Sequence, residues 1–150
     1  MKKIFLFITF ILVILFILGV SFLLLYQKRP QITVGGKQTF FIAVAQTPQE
    51  QEIGLSKYKT LPQDRAMYFP FAKPDYYSFW MKGMHFPIDI LFIRNGFIVS
   101  IFTSVPAPTA GQVTLPTYQP NQPADAVLEI NAGLSNKYGF TVGDEIKLSN

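Results

Sequence analysis

From Ile4 to Tyr26 the chain carries no charge, and only Thr9, Gly19 and Ser21 interrupt an otherwise apolar run. A helix made of these residues has no polar face to turn toward water, so the pattern predicts a helix in lipid. At about 1.5 Å per residue the run spans roughly 34 Å, enough to cross a hydrocarbon core of about 30 Å with slight tilt. A cleaved signal peptide is the rival reading, since Lys2 and Lys3 suit its positive start. The run is longer than an h-region of about 7–15 residues, and cutting near Gly19-Val20-Ser21 would leave an apolar new terminus. The length therefore predicts an uncleaved single-pass anchor over residues 1–30, in the bilayer through residues 4–26, with Tyr26 in the aromatic belt and Lys28 and Arg29 at the headgroups.

After Pro30 the pattern changes to short apolar stretches cut by turn residues. Ile32-Thr33-Val34, Gly35-Gly36 and Lys37 to Ala45 read as a hairpin with a two-residue turn. Thr47-Pro48-Gln49-Glu50 carries a capping box and proline at the first helical position, and Gly54 can end that helix. Ala66 to Phe69 and Tyr77 to Lys82 are expected strands. Ile88 to Arg94 and Phe97 to Thr103 form the clearest hairpin, turned by Asn95-Gly96. Ile90-Leu91-Phe92-Ile93 is apolar without alternation, as in a strand buried on both faces. Val105 to Pro123 holds five prolines and no charge, which predicts a long surface loop. Ala126 to Ile130 is an expected strand, Asn131 to Tyr138 a short helix stopped by Gly139, and Glu145 to Leu148 the last strand. Many short strands, two short helices and frequent Pro/Gly turns predict a mostly β domain over residues 31–150, a β-sandwich or partly open barrel.

Charge changes the picture once it is divided. Of thirteen basic residues, Lys2, Lys3, Lys28 and Arg29 flank the apolar run; the nine that remain balance nine acidic ones. The net +4 thus belongs to the membrane flanks, and the formally neutral domain gives no support to a basic nucleic-acid face. With the α-amino group, the positive-inside rule gives a narrow vote for the N-terminus inside and the domain outside the cytoplasm. The absence of cysteine excludes disulfides, thiolate nucleophiles and Cys-ligated zinc.

Three segments carry a family likeness. They are Gly54-Leu55 followed by Leu61-Pro62-Gln63-Asp64-Arg65-Ala66-Met67, then Ser78-Phe79-Trp80-Met81-Lys82 leading into Pro87-Ile88-Asp89-Ile90-Leu91-Phe92-Ile93, then Val127-Leu128-Glu129-Ile130-Asn131-Ala132-Gly133 with Gly143-Asp144. In this order, from about Thr39 to Leu148, the chain resembles the uncharacterised family known as domain of unknown function 192. The resemblance implies an all-β fold with small helices, commonly exported or membrane-tethered, and no agreed biochemical activity. Where the family's pattern has Lys-Asn-Thr after the tryptophan and methionine, this chain has Lys82-Gly83-Met84.

Lys82, Asp89 and Glu129 sit in or beside apolar strands, with Arg65 as a further charge nearby in the pattern. A carboxylate in such surroundings must be paired, or its pKa rises. Two readings follow: the four line a polar ligand pocket under the Pro-rich loop, or Lys82 and Arg65 are structural ion-pair partners of Asp89 and Glu129. Strand alternation puts Tyr77, Phe79 and Met81 on one face and Tyr76, Ser78 and Trp80 on the other. Trp80 is expected to be a packing residue rather than a ligand platform. His85, the only histidine, is expected in the turn before Pro87, and no hydrolase, metalloprotease or EF-hand spacing occurs. No catalytic residue, metal ligand or cofactor site is assigned.

The leading functional expectation is a membrane-tethered, extracytoplasmic binding or envelope-associated module taking a glycan, peptide or envelope protein. The alternative is a hydrolase of an envelope glycan or peptide that uses Asp89 and Glu129 as a carboxylate pair. A third is a structural partner of another membrane protein.

Overall fold

The computed structural model describes residues 2–27 and 29–149, in two compact units: the N-terminal helix with Arg29, and Pro30–Ser149. Helix α1 (Lys2–Gln27) has no acidic residue in its first turn and no basic residue in its last. Its stretch Lys2–Leu23 has a mean hydropathy of 3.1, long and apolar enough to cross a membrane. The expected membrane-facing roles of Lys28 and of the Tyr26 side chain lie outside what is described.

The second unit is built on one seven-stranded mixed sheet. Its strands are β1 (Gln31–Val34), β2 (Gln38–Val44), β3 (Arg65–Asp75), β5 (Ile88–Arg94), β6 (Phe97–Val105), β8 (Ala124–Asn131) and β9 (Ile146–Ser149). Their spatial order is β6-β5-β8-β3-β2-β1-β9. Neighbours pair antiparallel except β2 and β3, which are parallel and therefore need a crossover. Helix α2 (Pro48–Ile53) and a 3₁₀ turn (Gly54–Lys57) supply it. The expected capping box forms: the Glu50 amide donates to Thr47 Oγ1 at 3.2 Å, and the Thr47 amide donates to Glu50 Oε2 at 2.9 Å.

The two end strands of that order meet. Phe97 bridges Glu145, the Ile98 amide donates to the Asp144 carbonyl at 3.0 Å, and the Ile146 amide donates to the Gly96 carbonyl at 2.8 Å. The sheet therefore curls into a half-barrel, the partly open barrel of the two expected architectures. Asn95 and Gly96 turn the β5–β6 hairpin with φ of 51° and 78°, as a two-residue turn of this kind requires. The first hairpin differs from expectation: Val34 pairs with Gln38, so Gly35, Gly36 and Lys37 make a three-residue turn.

Apolar side chains pack on both sides of the sheet. One cluster joins Ile32, Phe40, Leu91, Ile98, Leu128 and Ile146, residues from strands at both ends of the order, and so fills the concave side. The other sits against the opposite face, where Met67, Phe69, Ile90, Phe92 and Val127 are covered by Leu55, Met81 and Met84. Strand β5 serves both, which is why it is apolar without alternation. Each phenylalanine removed from water here, such as Phe40, Phe69 and Phe92, contributes about 1.5–3 kcal/mol.

Two expectations need correction. The tryptophan strand is only β4 (Phe79–Trp80), which pairs not with the main sheet but with β7 (Thr117–Tyr118). That strand lies inside the proline-rich segment, which is therefore not a plain surface loop. It folds back so that the Tyr118 ring meets Phe102 edge-on at 5.4 Å, and Val105 and Pro120 are buried. Proline excludes long ladders but leaves room for a two-residue bridge fixed by an aromatic contact.

Candidate functional site

Asp89 and Glu129 belong to adjacent strands. Asp89 pairs with Ile130, and Ile90 pairs with Glu129. Paired residues of an antiparallel ladder share a face and successive residues alternate, so the two carboxylates point to opposite sides of the sheet.

Asp89 is fully buried and fully engaged. Its Oδ1 accepts from the Ser104 amide at 2.7 Å and the Gly133 amide at 3.0 Å, and its Oδ2 accepts from the Ser135 amide at 2.8 Å. The Ser104 contact answers a β-bulge: Ile88 pairs with Val105 and Ile90 with Phe102, so two β6 residues oppose Asp89 alone. Ser104 is held at a φ of 53°. The other two contacts cap helix α3 (Leu134–Tyr138), whose own N-cap residue, Gly133, has no side chain to do so. Asp89 is a structural clamp, and its partners are backbone amides rather than the expected Lys82 or Arg65.

Glu129 is different. Only 5% of it is exposed, and its Oε2 is buried without a hydrogen-bond partner. Burial pushes the carboxyl up to about 8, from an ordinary value of 4.5. It lines a cavity of about 180 Å³ whose other walls come from α2 and the 3₁₀ turn (Glu52, Gly54), from β3 (Phe69, Phe71) and from the aromatic segment (Tyr77, Phe79). An engineered apolar cavity of about 150 Å³ admits benzene, so this one has room for a single ring. The rings hold one another in place: Phe69 and Phe79 meet edge-on at 5.2 Å, and Phe71 stacks on Tyr77 at 3.6 Å.

Gly54 shapes the wall opposite Glu129. With φ 51° and ψ −139° it adopts a conformation that side chains resist. A Cβ added there would lie 3.5 Å from the Phe69 ring and 3.9 Å from Glu129 Oε2.

The expected four-residue site is thus divided. Lys82 and Glu129 line the same cavity, but no ion pair joins them among the described residues. The Lys82 ammonium is exposed at the rim and lies 5.0 Å over the Trp80 ring. Asp89 is on the other face. Arg65 lies 5.5 Å over the Phe41 ring and lines a separate groove of about 210 Å³ with Ile42, Tyr58 and Leu61. The proline-rich segment does not roof the Glu129 cavity; the crossover does. Trp80, expected in the core, is 47% exposed. Alternation along its segment holds, but Met81 is the deeply buried partner and Trp80 faces outward. His85 is exposed in the turn before β5, as expected. Among the described residues no group of His, Asp and Glu is arranged to hold a metal.

Sequence reasoning missed the crossover wall and Phe69 and Phe71; Tyr77 and Phe79 belong to the aromatic segment weighed as a platform, and Gly54-Leu55 stands among the family-like segments.

The fold and cavity define a class: a curled mixed sheet whose α2 crossover and aromatic segment enclose one buried, unpaired carboxyl. The chain belongs to the domain of unknown function 192 family, described as "Uncharacterized ACR", whose model matches residues 30–148. A solved structure of a Novosphingobium aromaticivorans protein of unknown function is similar, with 29% identity and a TM-score of 0.71 over 78% of this chain and 83% of that one. A Sinorhizobium meliloti protein described as a candidate transcription regulator is similar as well, with 26% identity and a TM-score of 0.69 over 79% and 91% of the two chains. No curated protein matches the chain significantly.

Proposed function

We propose that the domain is a ligand-binding module with the Glu129 cavity as its site, tethered by α1 and facing away from the cytoplasm. The observation that carries this reading is the unpartnered Oε2 of Glu129 beside an open, aromatic-walled cavity. A buried polar atom without a partner costs about 1–3 kcal/mol, a cost that an occupant of the cavity would remove. A sugar ring of a glycan or a side chain of a peptide matches the size and the aromatic walls. Trp80, about half exposed, also lines the cavity and offers further contact area.

The tether rests on the length and hydropathy of α1, and the orientation on the single extra positive charge at its N-terminal flank. The hydrolase alternative loses support because Asp89 and Glu129 face opposite sides of the sheet. The regulator description of the Sinorhizobium protein is not carried over, since nine basic and nine acidic residues leave residues 31–150 neutral.

A thermal-shift screen of the full chain in nonionic detergent tests the site. A cavity ligand at 100 times its Kd should add about 2.7 kcal/mol. Loss of that gain in Glu129→Gln is expected, and ligands that stabilise parent and variant equally would refute the assignment. For the tether, protease added to intact cells should remove the domain, and intact mass should show residues 1–30 retained.

A further inference from the structure

We infer that the cavity takes an organic ammonium group, seated with its positive charge against Glu129 and its alkyl shell among the surrounding rings. The inference rests on the cavity being the binding site and names the chemistry that would fill it.

Three observations converge. First, the Glu129 carboxyl is buried with an oxygen that nothing satisfies. Around it on its own face of the sheet are Met67, Phe69, Ile90, Phe92 and Val127, none of which can donate a hydrogen bond from its side chain or carry charge. Secondly, Phe69, Phe71, Tyr77 and Phe79 line the same space, and aromatic faces attract cations through their ring quadrupoles. Such walls discriminate between an ammonium and a neutral group of equal size. Thirdly, Lys82, the one cation among the lining residues, does not pair with Glu129: it is exposed and lies over the Trp80 ring of the same wall. The remaining ionisable groups facing the cavity are Glu52 on α2 and Tyr77 on the aromatic segment. Glu52 and Lys82 both line the cavity and are exposed, so their opposed charges are screened by solvent and Glu129 is the buried group that selects the ligand.

An uncharged ligand that accepts a hydrogen bond would need Glu129 protonated, whereas an ammonium needs it ionised. Because burial lifts this carboxyl to about 8, the two chemistries have opposite pH profiles. A cation must displace the Glu129 proton below that value, so its affinity rises with pH and levels off above it. An acceptor ligand weakens as pH rises past the same point.

The test is titration of the full chain in nonionic detergent with tetramethylammonium, which has no proton of its own, and with tert-butanol as its uncharged counterpart. Calorimetry at pH 6, 7, 8 and 9, in buffers of different ionisation enthalpy, reports affinity and proton release together. We expect tetramethylammonium to bind about tenfold more tightly per pH unit up to about pH 8, releasing close to one proton at pH 6. Tert-butanol, whose hydroxyl can accept from the protonated carboxyl and donate to the ionised one, should show no tenfold rise per pH unit and release no proton, and Glu129→Gln should lose at least tenfold in cation affinity at pH 9. The proton-release measurement needs no variant, so it stands even if Glu129→Gln folds poorly. Nα-acetyl-lysine amide and glucosamine then separate a peptide source from an amino-sugar source. Equal binding of the cation and tert-butanol, or affinity that falls with pH, overturns the ammonium inference and leaves the binding site standing. If neither these probes nor the thermal-shift screen finds a cavity ligand, both fail.

Discussion

Asp89 and Glu129 lie one register step apart on neighbouring strands, and both are almost wholly removed from water. Asp89 accepts three backbone amides; Glu129 Oε2 accepts nothing. The difference follows from what each face of the sheet meets. Behind Asp89 the chain bulges and a helix begins, and both events leave amides without partners. Behind Glu129 there are only aromatic and aliphatic side chains and a cavity. A buried carboxylate surrounded by donors organises structure, whereas one without donors remains available to a ligand.

The largest expected effect comes from removing the satisfied member. Asp89→Ala should cost about 5 kcal/mol in urea unfolding, because three buried amides lose their acceptor at about 1–3 kcal/mol each. A loss below about 1 kcal/mol would mean that water replaces the carboxylate easily and that the contrast is false.

Glu129→Gln should act in the opposite direction, depending on pH. The folded value of about 8 lies above the ordinary 4.5, so the native state holds this proton more tightly than the unfolded chain. The resulting stability is fully present below about pH 4.5 and is lost as pH rises to about 8, by an amount on the order of 5 kcal/mol. The glutamine variant lacks this loss and should be the more stable protein at pH 9, by about 2 kcal/mol after allowing for its own unsatisfied amide. Asp144 and Glu50 are shifted the other way, chiefly by the Lys37 side-chain hydrogen bond and the Thr47 backbone amide respectively. Their linkage acts at lower pH and cancels in the difference between parent and variant. Parallel stability curves for the two proteins between pH 5 and 9 would show that Glu129 is not an isolated buried acid.

Gly54→Ala should destabilise by about 2 kcal/mol, since its φ of 51° with ψ −139° strains any side chain. The added methyl also narrows the space between Phe69 and Glu129, so ligand-induced stabilisation should fall beyond the loss of stability itself. An unchanged melting temperature would show that the crossover relaxes and that the wall is not rigid.

The smallest effect is expected from Trp80→Ala, about 1 kcal/mol or less. A fully buried tryptophan would cost about 3–5 kcal/mol, but Trp80 is half exposed, with the Lys82 ammonium 5.0 Å over its ring. A cost in the upper range would return Trp80 to the core.

Much of this fold was legible in the pattern of residues. The uncharged run from Ile4 to Tyr26, the Asn95-Gly96 hairpin, the Thr47–Glu50 box and the Gly139 stop are local events, decided by side chains within a few positions of one another. The candidate site was less legible. Lys82, Asp89, Glu129 and Arg65 could be picked out as charges in apolar surroundings, but nothing local separates a clamp from a cavity wall. Period-two alternation sorts a strand into two faces and leaves open which face a neighbour will cover. That ambiguity hid the outward turn of Trp80 and the division between Asp89 and Glu129.

The sequence by itself determined an apolar helix long enough for a membrane, a neutral β-rich domain, its Asn95-Gly96 turn and the strand buried on both faces, because each depends on composition or short-range geometry. Only the tertiary structure decided that β2 and β3 run parallel, that the crossover between them walls a cavity, that Thr117-Tyr118 pairs with Phe79-Trp80, and that of two neighbouring carboxylates one meets three amides and the other none. These depend on residues tens of positions apart arriving at the same place. Strand register fixes the face on which each residue stands, and the packing of the whole chain fixes what it finds there.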